Sequence, residues 1–177
     1  MNKVKFSVLA LLFLSTSIAS LTRPTNGQDL NYIHVLFEWD QEPDAIGYNI
    51  QVSESVTFNT TLLDMNTGIP LYIDKENIDW DDTYYWRVRP IYNPEDGSTG
   101  DYEFGSWIAT SSFSTGEKQF PERDADIYNN NLVQDGLVAF GGFFPVCSSA
   151  VIDKYGNEIW NTGEEGNFDF LLNHINE

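Results

Sequence analysis

The 177-residue chain carries 9 basic against 27 acidic side chains, a formal net charge of −18, with 15% aromatic residues. That charge repels phosphate backbones and anionic lipid surfaces, which argues against nucleic acid or any polyanion as partner. A single cysteine, Cys147, excludes an intrachain disulfide, so the core must hold by packing alone.

The length suits one ordinary domain with a piece of a second, and the wealth of Phe, Tyr and Trp points to β structure. At the start, Lys3 and Lys5 precede an apolar run from Phe6 to Leu14 and a small polar stretch from Ser15 to Ser20. This is the pattern of a secretory signal peptide over residues 1–19, with Ser17 and Ala19 suited to cleavage after Ala19. The run is far shorter than the roughly 20 residues a membrane-spanning helix needs, and no later segment is apolar enough to span. The expected product is soluble and secreted or periplasmic.

From Asn31 onward Val35, Phe37 and Trp39 alternate with His34, Leu36 and Glu38, the mark of a strand buried on one face. After a turn at Asp40 to Asp44, Tyr48, Ile50 and Val52 alternate with Asn49, Gln51 and Ser53 as a second strand. Thr61 to Asp64 and Leu71 to Asp74 read as edge strands around a turn at Asn66-Thr67-Gly68. Thr83 to Ile91 places Tyr84, Trp86 and Val88 on one face, with Tyr85, Arg87 and Arg89 on the other. A loop from Pro94 to Gly100 follows, and Trp107 to Thr115 then puts Trp107, Ala109, Ser111 and Phe113 on one side. About six strands at spacings of about ten residues predict an antiparallel sandwich.

The runs Phe37-Glu38-Trp39-Asp40, Ile46 to Ser53, Thr83 to Arg89, and Gly105-Ser106-Trp107 through Thr115 resemble the fibronectin type III family in its bacterial extracellular form, over residues 21–116. The resemblance implies a β-sandwich in which Tyr84 is a corner tyrosine, ring buried and hydroxyl bonded to nearby backbone. Residues 117–131, with Pro121, a charge cluster from Glu122 to Asp126 and three consecutive asparagines, read as a linker.

Beyond it, Gly136 to Phe144, Ser149 to Asp153 and Asn157 to Trp160 read as short strands, the last two joined by a hairpin at Asp153 to Asn157. Asp135 to Phe140, Ser149 to Trp160 and Leu171 to Glu177 resemble the first blade of the arylsulfotransferase-type β-propeller. The expected fold is therefore all-β, a fibronectin type III-like sandwich plus an incomplete propeller blade over residues 132–177. Because one blade cannot bury its own faces, the chain is expected to be the front of a longer protein, with 21–116 resisting protease and 132–177 being cut or aggregating.

Chemistry is sparsely signalled. His34 and His174 fall in separate expected domains, and no metal-ligand spacing or phosphate-cradling glycine loop occurs. The resembled family transfers sulfuryl groups through a histidine nucleophile, and His174 is the one propeller histidine available here, a weak catalytic candidate. Cys147 lies among apolar residues and reads as a buried small hydrophobe. Asp79-Trp80-Asp81-Asp82 and Asp124-Ala125-Asp126 could offer oxygens to Ca²⁺ but lack the spacing of a calcium loop, and no two of the 27 carboxylates mark themselves as a glycosidase pair. No cofactor or metal is called for.

Trp39, Tyr48, Trp86 and Trp107 fall on the core alternation, leaving Tyr85, Tyr92 and Tyr102 as candidates for exposed contacts. Cross-strand carboxylates are the expected partners of Arg87 and Arg89, and Asn59-Thr60-Thr61 is a formal glycosylation acceptor. The expected function is an exported non-catalytic module, a spacer, docking surface or dimer contact ahead of an arylsulfotransferase-like domain. The alternative is an extracellular adhesion or carbohydrate-binding module, with a protein or glycan as partner.

Overall fold

The computed structural model describes residues 19–94, 102–120, 136–142 and 148–163. Residues 1–18, most of the expected linker, Cys147 and His174 lie outside the described residues. The strands in chain order are β1 (Leu21–Arg23), β2 (Gln28–Leu30), β3 (Val35–Trp39), β4 (Gly47–Ser53), β5 (Leu63–Thr67), β6 (Leu71–Asp74), β7 (Thr83–Tyr92), β8 (Glu103–Phe104), β9 (Thr110–Thr115), β10 (Val138–Gly142), β11 (Ser148–Ile152) and β12 (Glu158–Asn161). No helix occurs among the described residues, and none there is long and apolar enough to cross a membrane.

Two sheets face each other. One has the order β1-β3-β6; the other runs β2-β9-β7-β4-β5, with β8 added against β7. Period-two alternation decides what lies between them. Val35, Phe37 and Trp39 point inward from β3, and Tyr48, Ile50, Val52, Tyr84, Trp86, Val88 and Phe113 point inward from the facing sheet, all in one buried cluster. Aromatic edges lock the two layers. The Phe37 ring meets Trp86 at 5.1 Å and Phe113 at 5.8 Å, and Trp39 meets Tyr48 at 5.4 Å. The Tyr84 ring is buried, and its hydroxyl accepts the Asp79 N–H at 2.9 Å and donates to the Asp79 carbonyl, as the corner role requires. Both expected edge strands are edges, β5 of one sheet and β6 of the other.

The structure corrects the reading in three places. The sandwich is not antiparallel throughout, because β2 pairs with β9 in parallel, Gln28 opposite Phe113. β5 includes Asn66 and Thr67, so the turn lies later, at Gly68 to Pro70. Trp107 is not a core residue. Ile108 donates its N–H to the Val88 carbonyl at 2.8 Å and packs on the core, while Ala109 and Thr110 are both exposed. Two successive outward residues shift the alternation by one, as a bulge does, and Trp107 is thrown onto the outer face. Gly105 permits the approach of this segment. A Cβ there would lie 2.7 Å from Pro90 Cγ and 2.9 Å from Tyr92 Cε2.

Beyond the sandwich, β10, β11 and β12 form an antiparallel meander with Phe140 opposite Ala150 and Val151 opposite Trp160. The β11–β12 turn is organised by Asp153, whose Oδ1 accepts the N–H groups of Tyr155 and Asn157 and whose Oδ2 accepts the Asn157 side-chain amide. Gly156, at φ 88°, supplies the left-handed residue the turn needs.

Burial raises the Asp153 carboxyl pKa, but these hydrogen bonds outweigh it and hold the group below its ordinary value. A lowered folded-state pKa means stability that is complete above the unfolded value of about 3.9 and lost as pH falls through the folded value. Amide exchange at Tyr155 and Asn157, corrected for intrinsic rate, is expected to be constant above pH 5 and to accelerate below about pH 3.9. Acceleration that begins well above pH 5 would assign the turn's stability to another group.

Candidate functional site

Two places gather polar and aromatic side chains. The first is the junction between the sandwich and the β10–β12 sheet. The free edge of β12 is closed by the segment before β3: Ile33 N–H donates to the Ile159 carbonyl and Asn161 N–H to the Asn31 carbonyl, both at 3.0 Å, around a Tyr32–Trp160 bridge. Side chains reinforce the backbone bonds. Asn31 Nδ2 donates to the Asn161 carbonyl at 2.6 Å, and Trp80 Nε1 donates to the Glu158 carbonyl at 2.9 Å.

Glu158 is itself buried, and a buried carboxylate must find donors. Its Oε1 accepts the Gln119 N–H at 3.0 Å and Asn161 Nδ2 at 2.6 Å; its Oε2 accepts the Phe120 N–H at 2.7 Å. One side chain of β12 thereby holds the chain leaving the sandwich. Beside this latch lies a cleft of about 280 Å³, lined by His34, Lys75, Lys118, Asp153 and Asn157 among others. Burial and the Lys75 charge push the His34 pKa down, against opposing pulls from Asp153 and Asp74.

The second place is the outer face of the larger sheet. Arg87 and Arg89 point there from β7, and aromatic rings interleave with them. The Arg87 guanidinium lies 4.0 Å from the Phe58 centroid and 4.0 Å from that of Trp107; Arg89 lies 4.4 Å from Trp107 and 3.9 Å from Phe104. The stack runs Phe58, Arg87, Trp107, Arg89, Phe104, with cation–π attraction at each step.

Cross-strand carboxylates were the expected partners, but amides take that role. Gln51 Oε1 accepts Arg87 Nε at 3.0 Å and Nη2 at 2.7 Å, and Asn49 Oδ1 accepts Arg89 Nε at 3.0 Å. The carboxylate lies one strand further, where Asp64 accepts Asn49 Nδ2 and Gln51 Nε2. Burial, together with the adjacent Arg89 charge, lowers the Arg87 pKa against the pull of Asp64.

The remaining candidates are placed as follows. Tyr85 and Tyr92 stand at opposite ends of β7, so the three tyrosines form no shared platform. Tyr92 borders an open cleft of about 630 Å³ with Pro43, Asp44, Asn93 and Glu103, and Tyr102 is exposed nearby in sequence. Asn59 is exposed in the β4–β5 loop. Asp79 Oδ1 accepts the Trp80 N–H, and among the described residues no three His, Cys, Asp or Glu side chains are grouped to hold a metal ion. Asp124 and Asp126 lie outside the described residues.

Sequence reasoning missed the Glu158 latch and the ring stack. An acidic residue on a strand reads as solvated, Phe58 comes from an irregular segment that carries no period, and Trp107 sits on an alternation that shifts at Ala109 and Thr110.

Neither a protein-family model nor a curated protein matches the chain. Among solved structures it is similar to an Fn3-like protein from Clostridium thermocellum, at 20% identity and a TM-score of 0.37, over 58% of this chain and 99% of that one.

Proposed function

We propose that the chain is an exported, non-catalytic β module whose fibronectin type III-like sandwich carries and orients the β domain that begins with β10–β12, the start of an arylsulfotransferase-type propeller. The observation that carries this reading is the hydrogen-bonded closure of the β12 edge by Asn31–Ile33, with Glu158 and Trp80 fastening it. A spacer that merely separated two bodies would need no such fastening. A carrier that sets the orientation of the following sheet does, because inter-domain motion is the default unless contacts suppress it. A second reading, adhesion or carbohydrate binding, draws on the exposed rings of Tyr102 and Phe104.

Sulfuryl transfer from an aryl sulfate to a phenol tests the proposal, measured on the 177-residue chain and on the polypeptide immunopurified from its native source with its intact mass. The expected result is no transfer by the chain, and transfer by a native product of much larger mass. Turnover by the 177-residue chain would overturn the non-catalytic reading. A native product no larger than the chain, retained on extracellular glycans, would establish the second reading instead.

A further inference from the structure

Among the described residues the one ion pair is Arg23 with Glu38, at 3.6 Å. Arg87 and Arg89 stand as two adjacent positive charges in a chain of net charge −18, and among the described residues the carboxylate that acts on Arg87 is Asp64, at one remove. The bonds above engage both Nε atoms and Arg87 Nη2; Arg87 Nη1 and the two Nη atoms of Arg89 find no acceptor among the described residues. Both arginines are partly exposed on this face.

An arginine free to move loses rotamer entropy when a ligand fixes it. Here the rings hold each guanidinium plane, and the Gln51 and Asn49 oxygens fix rotation about the plane, so that cost is already met in the folded chain. The guanidinium fork donates to oxyanions through its N–H edges, and an anion reached by the Nη atoms of both groups past the rim of Trp107 would relieve their mutual repulsion.

We propose that Arg87 and Arg89 form a binding site for a single oxyanion group, a carboxylate or sulfate ester carried by a small ligand or a sugar residue. A single charge is specified because the field of the whole chain opposes a polyanion. The site stands apart from the latch and does not rest on the function proposed above.

The test is an NMR titration of the 177-residue chain with sodium methyl sulfate and, separately, sodium acetate, following the Arg Nε–Hε cross-peaks, with sodium chloride at matched ionic strength as control. Saturable shifts at Arg87 and Arg89 are expected with at least one oxyanion. Saturation by methyl sulfate alone assigns a sulfate ester, by acetate alone a carboxylate, and by both an oxyanion site that does not discriminate. Arg89→Gln is expected to weaken binding at least tenfold with core amide shifts unchanged. Arg89→Lys keeps the charge without the fork and is expected to weaken it several-fold, which carries the test if Arg89→Gln does not fold. Shifts that track chloride for both salts, or affinity unchanged in the variants, would overturn the proposal.

Discussion

Glu158→Ala is expected to release the β10–β12 sheet from the sandwich while leaving the sandwich folded. The substitution removes the acceptor for Gln119 N–H, Phe120 N–H and Asn161 Nδ2 together. Losing the acceptor of a buried donor costs about 1–3 kcal/mol; Asn161 Nδ2 keeps the Glu117 carbonyl, and the part-buried Gln119 and Phe120 bonds recover part of their loss by opening the junction to water. A local loss of about 3 kcal/mol corresponds to roughly 100-fold faster hydrogen exchange at the Ile33 and Asn161 amides, whose bonds span the junction. The amides of Ile50 and Val88, deep in the β4–β7 ladder, are expected to keep their protection. Glu158→Gln retains one acceptor oxygen and should produce a smaller effect. Unchanged exchange at Ile33 in the alanine variant would show that the carboxylate does not fasten the junction.

Phe37→Ala should produce the largest global effect. Its ring is fully buried and bridges the two sheets through Trp86 and Phe113, and loss of such a ring costs about 3–5 kcal/mol. Against a total stability of about 5–15 kcal/mol, this would lower the melting temperature by about 10–20 °C. Trp107→Ala supplies the contrast. On the alternation alone Trp107 belongs to the core and would cost as much; on the outer face it loses two cation–π contacts, together about 1–2 kcal/mol. Thermal denaturation of the two variants separates the cases, and equal losses would return Trp107 to the core.

The strands that sequence made legible are those with apolar side chains on one face and polar ones on the other, whether the polar face meets water or, as at Asn49 and Ser53 of β4, is itself covered. Val35-Phe37-Trp39, Tyr48-Ile50-Val52 and Tyr84-Trp86-Val88 all point where their spacing says. β1 and β2 have three residues each, too few to show a period, and the parallel pairing of β2 with β9 depends on a partner 85 residues away at Asp29 and Ser114. Alternation failed before β9 because an extra outward residue leaves no local mark. The arginine pair was legible as outward, but its partners were not: Gln51 and Asn49 are neutral, and the rings come from elsewhere in the chain. Glu158 offered no signal at all, since its acceptor role is defined by backbone N–H groups across the junction.

The closure of β12 also has a direction in time. Asn31 and Asn161, which bond across it, are separated by 130 residues, and synthesis delivers Asn31 first. Domains fold as units in the order they emerge, so the Asn31–Ile33 segment is set in place by β3 and its neighbours before β12 exists. The later sheet then condenses on an ordered edge instead of searching for one, and the loop it closes adds little, because closure entropy grows only with the logarithm of length. Unfolding should retrace the path, with the meander departing first and the sandwich remaining ready to receive it again.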